Sequence, residues 1–99
     1  MTMTNLPPLT GAQKSKLRGL AQKLPPVARI GKQGLHDALI TNVADALDKR
    51  CLVKVRFDEF KDQRKEFSRQ LAAATNSHLI EVIGHVAVIY RPGPNDPLH

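Results

Sequence analysis

The sequence predicts a single α/β domain with the element order αβαβαββ and a mixed four-stranded sheet. Three observations predict it. Three stretches have apolar residues at helical spacing, short stretches rich in β-branched residues lie between and after them, and Gly- or Pro-containing breaks separate the elements. The 99 residues suffice for one domain of ordinary size. Strands joined by a helix pair in parallel and strands joined by a tight turn pair antiparallel, so the sheet should be mixed.

The first helix is predicted to begin after Thr10, because Thr10 and Gln13 have the spacing of a capping box. One stripe of this helix is apolar, formed by Leu17, Leu20, Ala21 and Leu24. Pro25-Pro26 then ends the helix and extends the chain toward a short strand, Val27–Ile30.

Gly31-Lys32-Gln33-Gly34 connects this strand to a second helix, predicted from Leu35 onward. Apolar residues there keep helical spacing for more than three turns, at Leu35, Ala38, Leu39, Val43, Ala46 and Leu47. Glycine lacks Cβ, so the loop backbone can take positive φ and lie close to a ligand. Backbone N–H groups, the positive end of a helix dipole and Lys32 would then meet, which favours phosphate binding. Alternatively, Gly31 and Gly34 only shape a tight connection.

The second half of the chain supplies the remaining elements. Leu52–Phe57 alternates like a strand and is predicted to lie parallel to the first, after a right-handed crossover. A third helix is expected from about Gln63 to Ala74, with its apolar stripe at Phe60, Phe67, Leu71 and Ala74. Leu79–Ile83 and Val86–Tyr90 are predicted to form a hairpin that turns at Gly84-His85.

The charge is distributed unevenly. Residues 1–36 contain no acidic side chain and six basic ones, which are Lys14, Lys16, Arg18, Lys23, Arg29 and Lys32. Residues 37–99 contain nine of each sign, so the whole net charge of +6 lies in the first third. This asymmetry indicates a polyanionic partner, although a solvated basic face would give the same count. A second basic run, Lys61, Arg64, Lys65 and Arg69, is interleaved with Asp58, Glu59, Asp62 and Glu66, and we interpret it as an ordinary solvated face.

No catalytic or metal-binding constellation is visible in the sequence. Cys51 is the only cysteine, so a disulfide within the chain and a cysteine-rich zinc site are both excluded, and a buried role is expected for it. The four histidines lack metal-ligand spacing. His36 and Asp37 are adjacent, but neighbouring helical residues diverge by about 100° and do not face each other. Phosphate-loop, dinucleotide-binding and serine-nucleophile motifs are missing as well. We therefore expect no enzyme activity, no metal and no cofactor.

Location and domain limits follow from the ends of the chain. There is no apolar run long enough to span a membrane and no basic and apolar leader at the N-terminus, so a cytoplasmic location is expected. Residues 1–9 and 93–99 are polar or contain Pro, and we expect both to be disordered. The folded domain should comprise residues 10–92.

Two common RNA-binding modules do not fit this pattern. The chain has four aromatic residues in hydrophobic positions, too few for the base-stacking sheet of an RRM. A KH domain also uses Gly-x-x-Gly, but it places this loop between two helices, whereas a strand precedes it here.

The motifs instead resemble the CRM domain, named for chloroplast RNA splicing and ribosome maturation, in its small bacterial YhbY-like form. The resemblance covers residues 10–92. It rests on five stretches in order, namely Leu17-Arg18-Gly19-Leu20-Ala21, Val27 to Leu35 with its Gly31-Lys32-Gln33-Gly34 loop, Leu52-Val53-Lys54-Val55, Val82-Ile83-Gly84 and Val88-Ile89-Tyr90-Arg91-Pro92.

The resemblance implies a fold similar to the C-terminal domain of a bacterial translation initiation factor. It also implies RNA binding through the loop and neighbouring basic residues, in a factor associated with precursors of the large ribosomal subunit. We therefore expect a non-catalytic, monomeric RNA-binding protein that contacts rRNA. The candidate RNA-binding residues are Gly31, Lys32, Gln33, Gly34, Arg29, Arg18, Lys14, Lys16 and Lys23. The main alternative is a protein-interaction module whose basic surface binds an acidic protein, and a small phosphate-ester enzyme is a more distant one.

Overall fold

The chain forms three α-helices and four strands in a computed structural model that describes residues 8–93 and 96–98. In chain order they are α1 (Gly11–Ala21), β1 (Ala28–Ile30), α2 (Asp37–Arg50), β2 (Leu52–Phe57), α3 (Arg64–Ala74), β3 (His78–Ile83) and β4 (Val86–Tyr90). A 3₁₀ turn, Lys61–Gln63, precedes α3. The predicted element order is confirmed.

The four strands form one sheet in the order β1-β2-β4-β3. β2 pairs in parallel with β1 and antiparallel with β4, and β3 completes the sheet as the antiparallel partner of β4. The sheet is therefore mixed, as predicted. A register shift between Leu79 and Glu81 interrupts the β3–β4 ladder.

Helix boundaries follow local capping. The capping box of Thr10 and Gln13 is present at the start of α1, as predicted. α2 begins at Asp37 rather than at Leu35, because Nδ1 of His36 accepts a hydrogen bond from the N–H of Leu39 at 3.4 Å. His36 is thus the N-cap of α2, a role that the sequence analysis did not assign to it.

The sheet separates two apolar cores. On one face, α2 and α3 cover side chains from all four strands, with Ile30, Val53, Val55, Phe57 and Ile89 among the buried residues. On the other face, α1 packs through Leu17 and Ala21 onto Leu52, Ile80, Val88 and Tyr90. Cys51 is buried in this second core, in agreement with the expected packing role.

The buried side of α3 differs from the predicted stripe. Ala74 is exposed, and Phe60 lies before the helix with a left-handed backbone (φ 56°). Leu71 is buried as predicted and Phe67 packs against the core, whereas the buried Ser68 and Ala72 were not in the predicted stripe. Arg64 also departs from the prediction that it faces water. It is half-buried, and its guanidinium donates to the carbonyl of Gly84 at 2.6 Å, which fixes the hairpin turn against the start of α3.

Part of the C-terminal tail contacts the domain. Asp96 is buried and accepts a hydrogen bond from the hydroxyl of Tyr90. Burial, and secondly this hydrogen bond, raise the pKa of Tyr90, so the phenol stays protonated and donates. The expected disorder of residues 1–9 and 93–99 falls largely outside the described residues, which omit 1–7, 94, 95 and 99.

Arg91 ties the end of β4 to both helices of the opposite layer. Its guanidinium donates to the carbonyl of Thr75 at 2.9 Å and to the carbonyl of Ala44 at 3.0 Å. It also pairs with the carboxylate of Asp48. Because Thr75 follows α3 and Ala44 lies within α2, one side chain connects three elements.

We expect Arg91→Gln to lower the free energy of unfolding by about 2–3 kcal/mol, because two carbonyls lose a charged donor. Urea denaturation measures the difference. Asp48→Asn is the control. The Asp48 side chain is 71% exposed, so its loss should cost about 1 kcal/mol or less. Equal losses in the two variants would mean that the ion pair, rather than the carbonyl bonds, carries the effect.

Stability should also depend on the protonation of His78. Burial, and secondly the nearby charge of Lys14, lower the pKa of His78 below its ordinary value of 6.5. The unfolded chain therefore binds a proton more readily, and stability is lost as the pH falls below 6.5. We expect His78→Gln to reduce this loss in urea titrations at several pH values. The exposed His85 is the control, and an equal reduction from His85→Gln would contradict the assignment.

Candidate nucleic-acid interface

The Gly-x-x-Gly segment forms a tight turn directly after β1. The N–H of Gly34 donates to the carbonyl of Gly31 at 3.0 Å, which closes the turn. Lys32 and Gln33 occupy its tip, are exposed, and make no hydrogen bond to any residue that the structure describes. The turn therefore presents one basic side chain, one amide side chain and the backbone N–H groups of these two residues to a ligand.

The two glycines of the turn have different roles. Gly34 has a left-handed backbone (φ 64°) and is buried, whereas positive φ is absent at Gly31. A Cβ at Gly34 would lie 3.6 Å from the rings of both Phe60 and Phe67. A Cβ at Gly31 would meet no atom within 4 Å. The conformational requirement predicted for both glycines thus applies to Gly34 alone.

An aromatic pair supports the turn. The rings of Phe60 and Phe67 have their centroids 5.1 Å apart and lie under Gly34. The N–H groups of Asp58 and Glu59 both donate to the carbonyl of Ile30, at 3.0 and 3.1 Å. The segment after β2 is thereby fastened to the end of β1, and the turn rests on this segment.

The N-terminus of α2 contributes less to an anion site than the sequence suggested. Its Leu39 N–H is already bonded to His36, and Asp37 places a carboxylate in its first turn. Positive character at the loop therefore comes mainly from Lys32 and from the amides at the tip.

The basic residues of the first helix point to separate places. Arg18 lies 3.8 Å from the carboxylate of Glu81 on β3 and donates to the hydroxyl of Ser15. Lys14 lies close enough to His78 to influence its pKa. Lys16 is exposed on α1. Lys23, which follows α1, lines a groove with Lys49 and Arg50. The structure thus spreads these candidate residues around α1.

Arg29 lies on β1 and faces the same side of the sheet as α1. Its cross-strand neighbour on β2 is Arg56. Asp58 lies between them, 3.8 Å from the Arg29 guanidinium and 3.4 Å from that of Arg56. Arg56 was not among the candidate residues of the sequence analysis. The alternation of β2 puts Arg56 opposite the apolar face of Val53, Val55 and Phe57, and this is the signal that could have identified it.

The sheet separates the charges of the described residues into two unequal layers. α1, the segment after it and the sheet face below carry seven basic side chains, which are Lys14, Lys16, Arg18, Lys23, Arg29, Lys54 and Arg56. Their acidic neighbours there are Asp58, Glu81 and the buried Asp96, which accepts a hydrogen bond from Tyr90. α2, α3 and the 3₁₀ turn carry six basic and five acidic side chains. The α1 side is therefore the strongly basic one.

Among residues 8–93 and 96–98, no three His, Cys, Asp or Glu side chains lie together in a way that could hold a metal ion. None of the helices in this part of the chain combines the length and apolar character that a membrane crossing requires.

A small mixed sheet with one helix on its basic face, and a glycine-bounded basic turn after the first strand, define a compact α/β binding domain. The profile of the CRS1 / YhbY (CRM) domain family matches residues 9–91. The chain belongs to this family, which confirms the resemblance seen in the sequence.

Several proteins are similar along most of their length. A probable RNA-binding protein of Bacillus subtilis, YqeI, is 34% identical over 84 residues, which cover 84% of this chain and 88% of the relative. An RNA-binding protein of Haemophilus influenzae is 32% identical, with coverage of 85% and 86%. The solution structure of the hypothetical protein SAV1595 from Staphylococcus aureus has a TM-score of 0.73 at 43% identity, and the match covers 85% of this chain and 88% of that one.

The unequal glycines lead to a prediction about the turn. Gly34→Ala should lower the free energy of unfolding by about 1–2 kcal/mol, because alanine is strained at positive φ. Gly31→Ala should change it by less than about 0.5 kcal/mol, because the position is open and its backbone is unstrained. Urea denaturation of both variants measures the difference. A larger loss at Gly31 would contradict the turn geometry described above.

Proposed function

We propose that this protein is a non-catalytic RNA-binding protein whose main contact is the turn of Gly31, Lys32, Gln33 and Gly34. The observation that carries the proposal is the exposed tip of this turn, where Lys32 and two backbone amides are available to a phosphate. Cationic side chains and backbone N–H groups are the usual ligands of nucleic-acid phosphates. The turn also packs on the Phe60–Phe67 pair, and this support would reduce the ordering that RNA binding requires.

The charge distribution and the similarity to other proteins also support RNA binding. The basic α1 side of the sheet provides a surface for a polyanion next to the turn. Two relatives of similar length carry names that describe RNA binding. Arg29 would act as a phosphate neutraliser beside the turn, and Lys14, Lys16, Arg18 and Lys23 would do so farther away on the α1 side, rather than as readers of base sequence.

The finer part of the proposal concerns the target. We expect a monomer that acts in the cytoplasm on structured rRNA in precursors of the large ribosomal subunit, as a factor in their assembly. The CRM resemblance of the sequence motivates this target. Crosslinking in cells, followed by sequencing of the attached RNA, tests it. Enrichment of large-subunit precursor sequences is expected, whereas crosslinks concentrated in messenger RNA or in small-subunit rRNA would overturn this target.

The turn itself is tested by Gly31→Asp combined with Lys32→Gln. We expect affinity for fragments of large-subunit rRNA to fall about tenfold or more, because a carboxylate enters the phosphate site and a cation leaves it. Filter binding at one salt concentration measures the loss. The circular dichroism spectrum should stay unchanged, because a Cβ at Gly31 meets no neighbouring atom.

Lys65→Gln combined with Arg69→Gln is the matched control, since it also changes the net charge by two. Both residues are exposed on α3, where Glu66 lies 3.5 Å from the guanidinium of Arg69. We expect a loss of less than about threefold, because neighbouring acids cancel the local potential. A larger loss from this control than from the turn variant would move the interface to α3. Tight binding of an acidic protein with no affinity for RNA would favour the protein-interaction alternative.

A further inference from the structure

One row of side chains crosses the whole sheet at the end nearest the Gly-x-x-Gly turn. The register pairs Arg29 with Arg56, Arg56 with Val86, and Val86 with Ile83. Directly paired residues point to the same face of a sheet, so these four side chains lie side by side on the α1 face. We call them the strand-end row. Neighbouring strands are about 4.8 Å apart, so the row extends about 14 Å.

The C-terminal end of α1 borders this row without burying it, and Ala21 and Gln22 line a cavity that Val86 and Ile83 also line. At the other end of the sheet, Leu52 and Tyr90 are buried beneath α1. Val88, in the row next to the strand-end row, is also buried, with only 3% of its surface exposed. In the strand-end row, by contrast, Val86 is only half-buried and Ile83 is 61% exposed. Ile83 and Phe60 are the large exposed apolar side chains of the described chain. The sheet face is thus open where the row lies.

The two arginines at the basic end of the row destabilise the sheet, so stability of the fold does not explain their presence. Arg29 and Arg56 carry like charges on directly paired positions, an arrangement that disfavours folding. One carboxylate, Asp58, lies within 3.8 Å of both guanidinium groups. The cluster therefore retains an uncompensated positive charge. Local conflicts of this kind concentrate at functional sites.

From this geometry we infer that the strand-end row is a second RNA contact, which rests on the function proposed above. Arg29 and Arg56 bind the phosphodiester backbone. Ile83, which lies two strands and about 10 Å across the sheet from Arg56, packs against a ribose or a base. Asp58 occupies the place that a phosphate takes in the complex. Asp58 and its two partners are exposed enough for this exchange, since the side chains of Arg29, Arg56 and Asp58 are 65%, 50% and 39% exposed.

Charge and continuity both favour RNA as the occupant. Lys54, in the next row of β2, adds another cation on the same face, and the structure assigns it no acidic partner among the described residues. The row also adjoins the proposed turn, because Arg29 lies two residues before Gly31 on a strand that ends at Ile30. A polyanion bound at the turn would therefore reach Arg29 and Arg56 before the apolar members of the row.

The central experiment compares two arginines in similar local settings. Arg56 lies 3.4 Å from Asp58, and Arg69 on α3 lies 3.5 Å from Glu66. We expect Arg56→Gln to lower affinity for large-subunit rRNA fragments about fivefold and to reduce the slope of log affinity against log salt by about 0.7–0.9. Arg69→Gln should leave both nearly unchanged. Filter binding at several KCl concentrations measures affinity and slope together.

The acidic partners give a test in the opposite direction. Asp58→Asn releases both arginines, so it should raise affinity about threefold or more. Glu66→Gln removes the same charge from α3 and should raise affinity much less. Equal gains would mean that only the overall charge matters, and this would overturn the assignment of Asp58.

The contact proposed for Ile83 is tested by the salt dependence of affinity. Ile83→Ser should lower affinity without changing the salt slope, because no ion is released at an apolar contact. An unchanged affinity for Ile83→Ser removes Ile83 from the interface. Urea denaturation of each variant shows whether it is folded, and Arg56→Lys, which keeps the charge, should retain most of the salt slope.

The outcomes separate this inference from the proposed function. If the Gly31→Asp and Lys32→Gln variant loses affinity while Arg56→Gln matches Arg69→Gln, the row is not a contact and the function of the turn stands. If the unaltered protein fails to bind the rRNA fragments at any salt concentration tested, both proposals fall.

Discussion

The double burial of β2 is the constraint on which the rest of the structure depends. Its backbone is hydrogen-bonded on both edges, to β1 and to β4. Its side chains are covered by α2 and α3 on one face and by α1 on the other at Leu52. On the α1 face Leu52, Val88 and Tyr90 are buried, whereas the Arg56 side chain near the end of β2 is 50% exposed. The end of β2 that remains uncovered carries Arg56, beside the basic turn.

Local chemistry explains which parts of the fold were predictable. The capping box at Thr10, the alternation of β2 and the tight hairpin are short-range signals, and the structure contains all three. The buried side of α3 was predicted only in part, at Leu71 and Phe67, because Ser68 and Ala72 are small enough to be buried although neither is strongly apolar. The role of Arg91 depends on carbonyls 16 and 47 residues away, which no local pattern contains.

The candidate site was predictable in its residues and less so in its geometry. The glycine spacing identified the turn, and the charge asymmetry identified the basic third of the chain. The sequence could not show that Gly34 rests on Phe60 and Phe67, because this contact joins segments that are distant along the chain. It also could not show that Arg29 and Arg56 are neighbours, since this follows from the parallel register. The acid between them was read as part of a balanced stretch.

The position of Asp58 has a consequence for selectivity. A carboxylate tethered two residues after Arg56 is present beside both guanidinium groups at a high and fixed effective concentration. A small free anion must displace the Asp58 carboxylate with a single charge of its own, so it gains little binding free energy. A polymer that already holds the neighbouring turn competes intramolecularly as well, because its next phosphate is delivered by its own chain. In the proposed complex, the tethered carboxylate would therefore favour a connected series of anions over isolated ones.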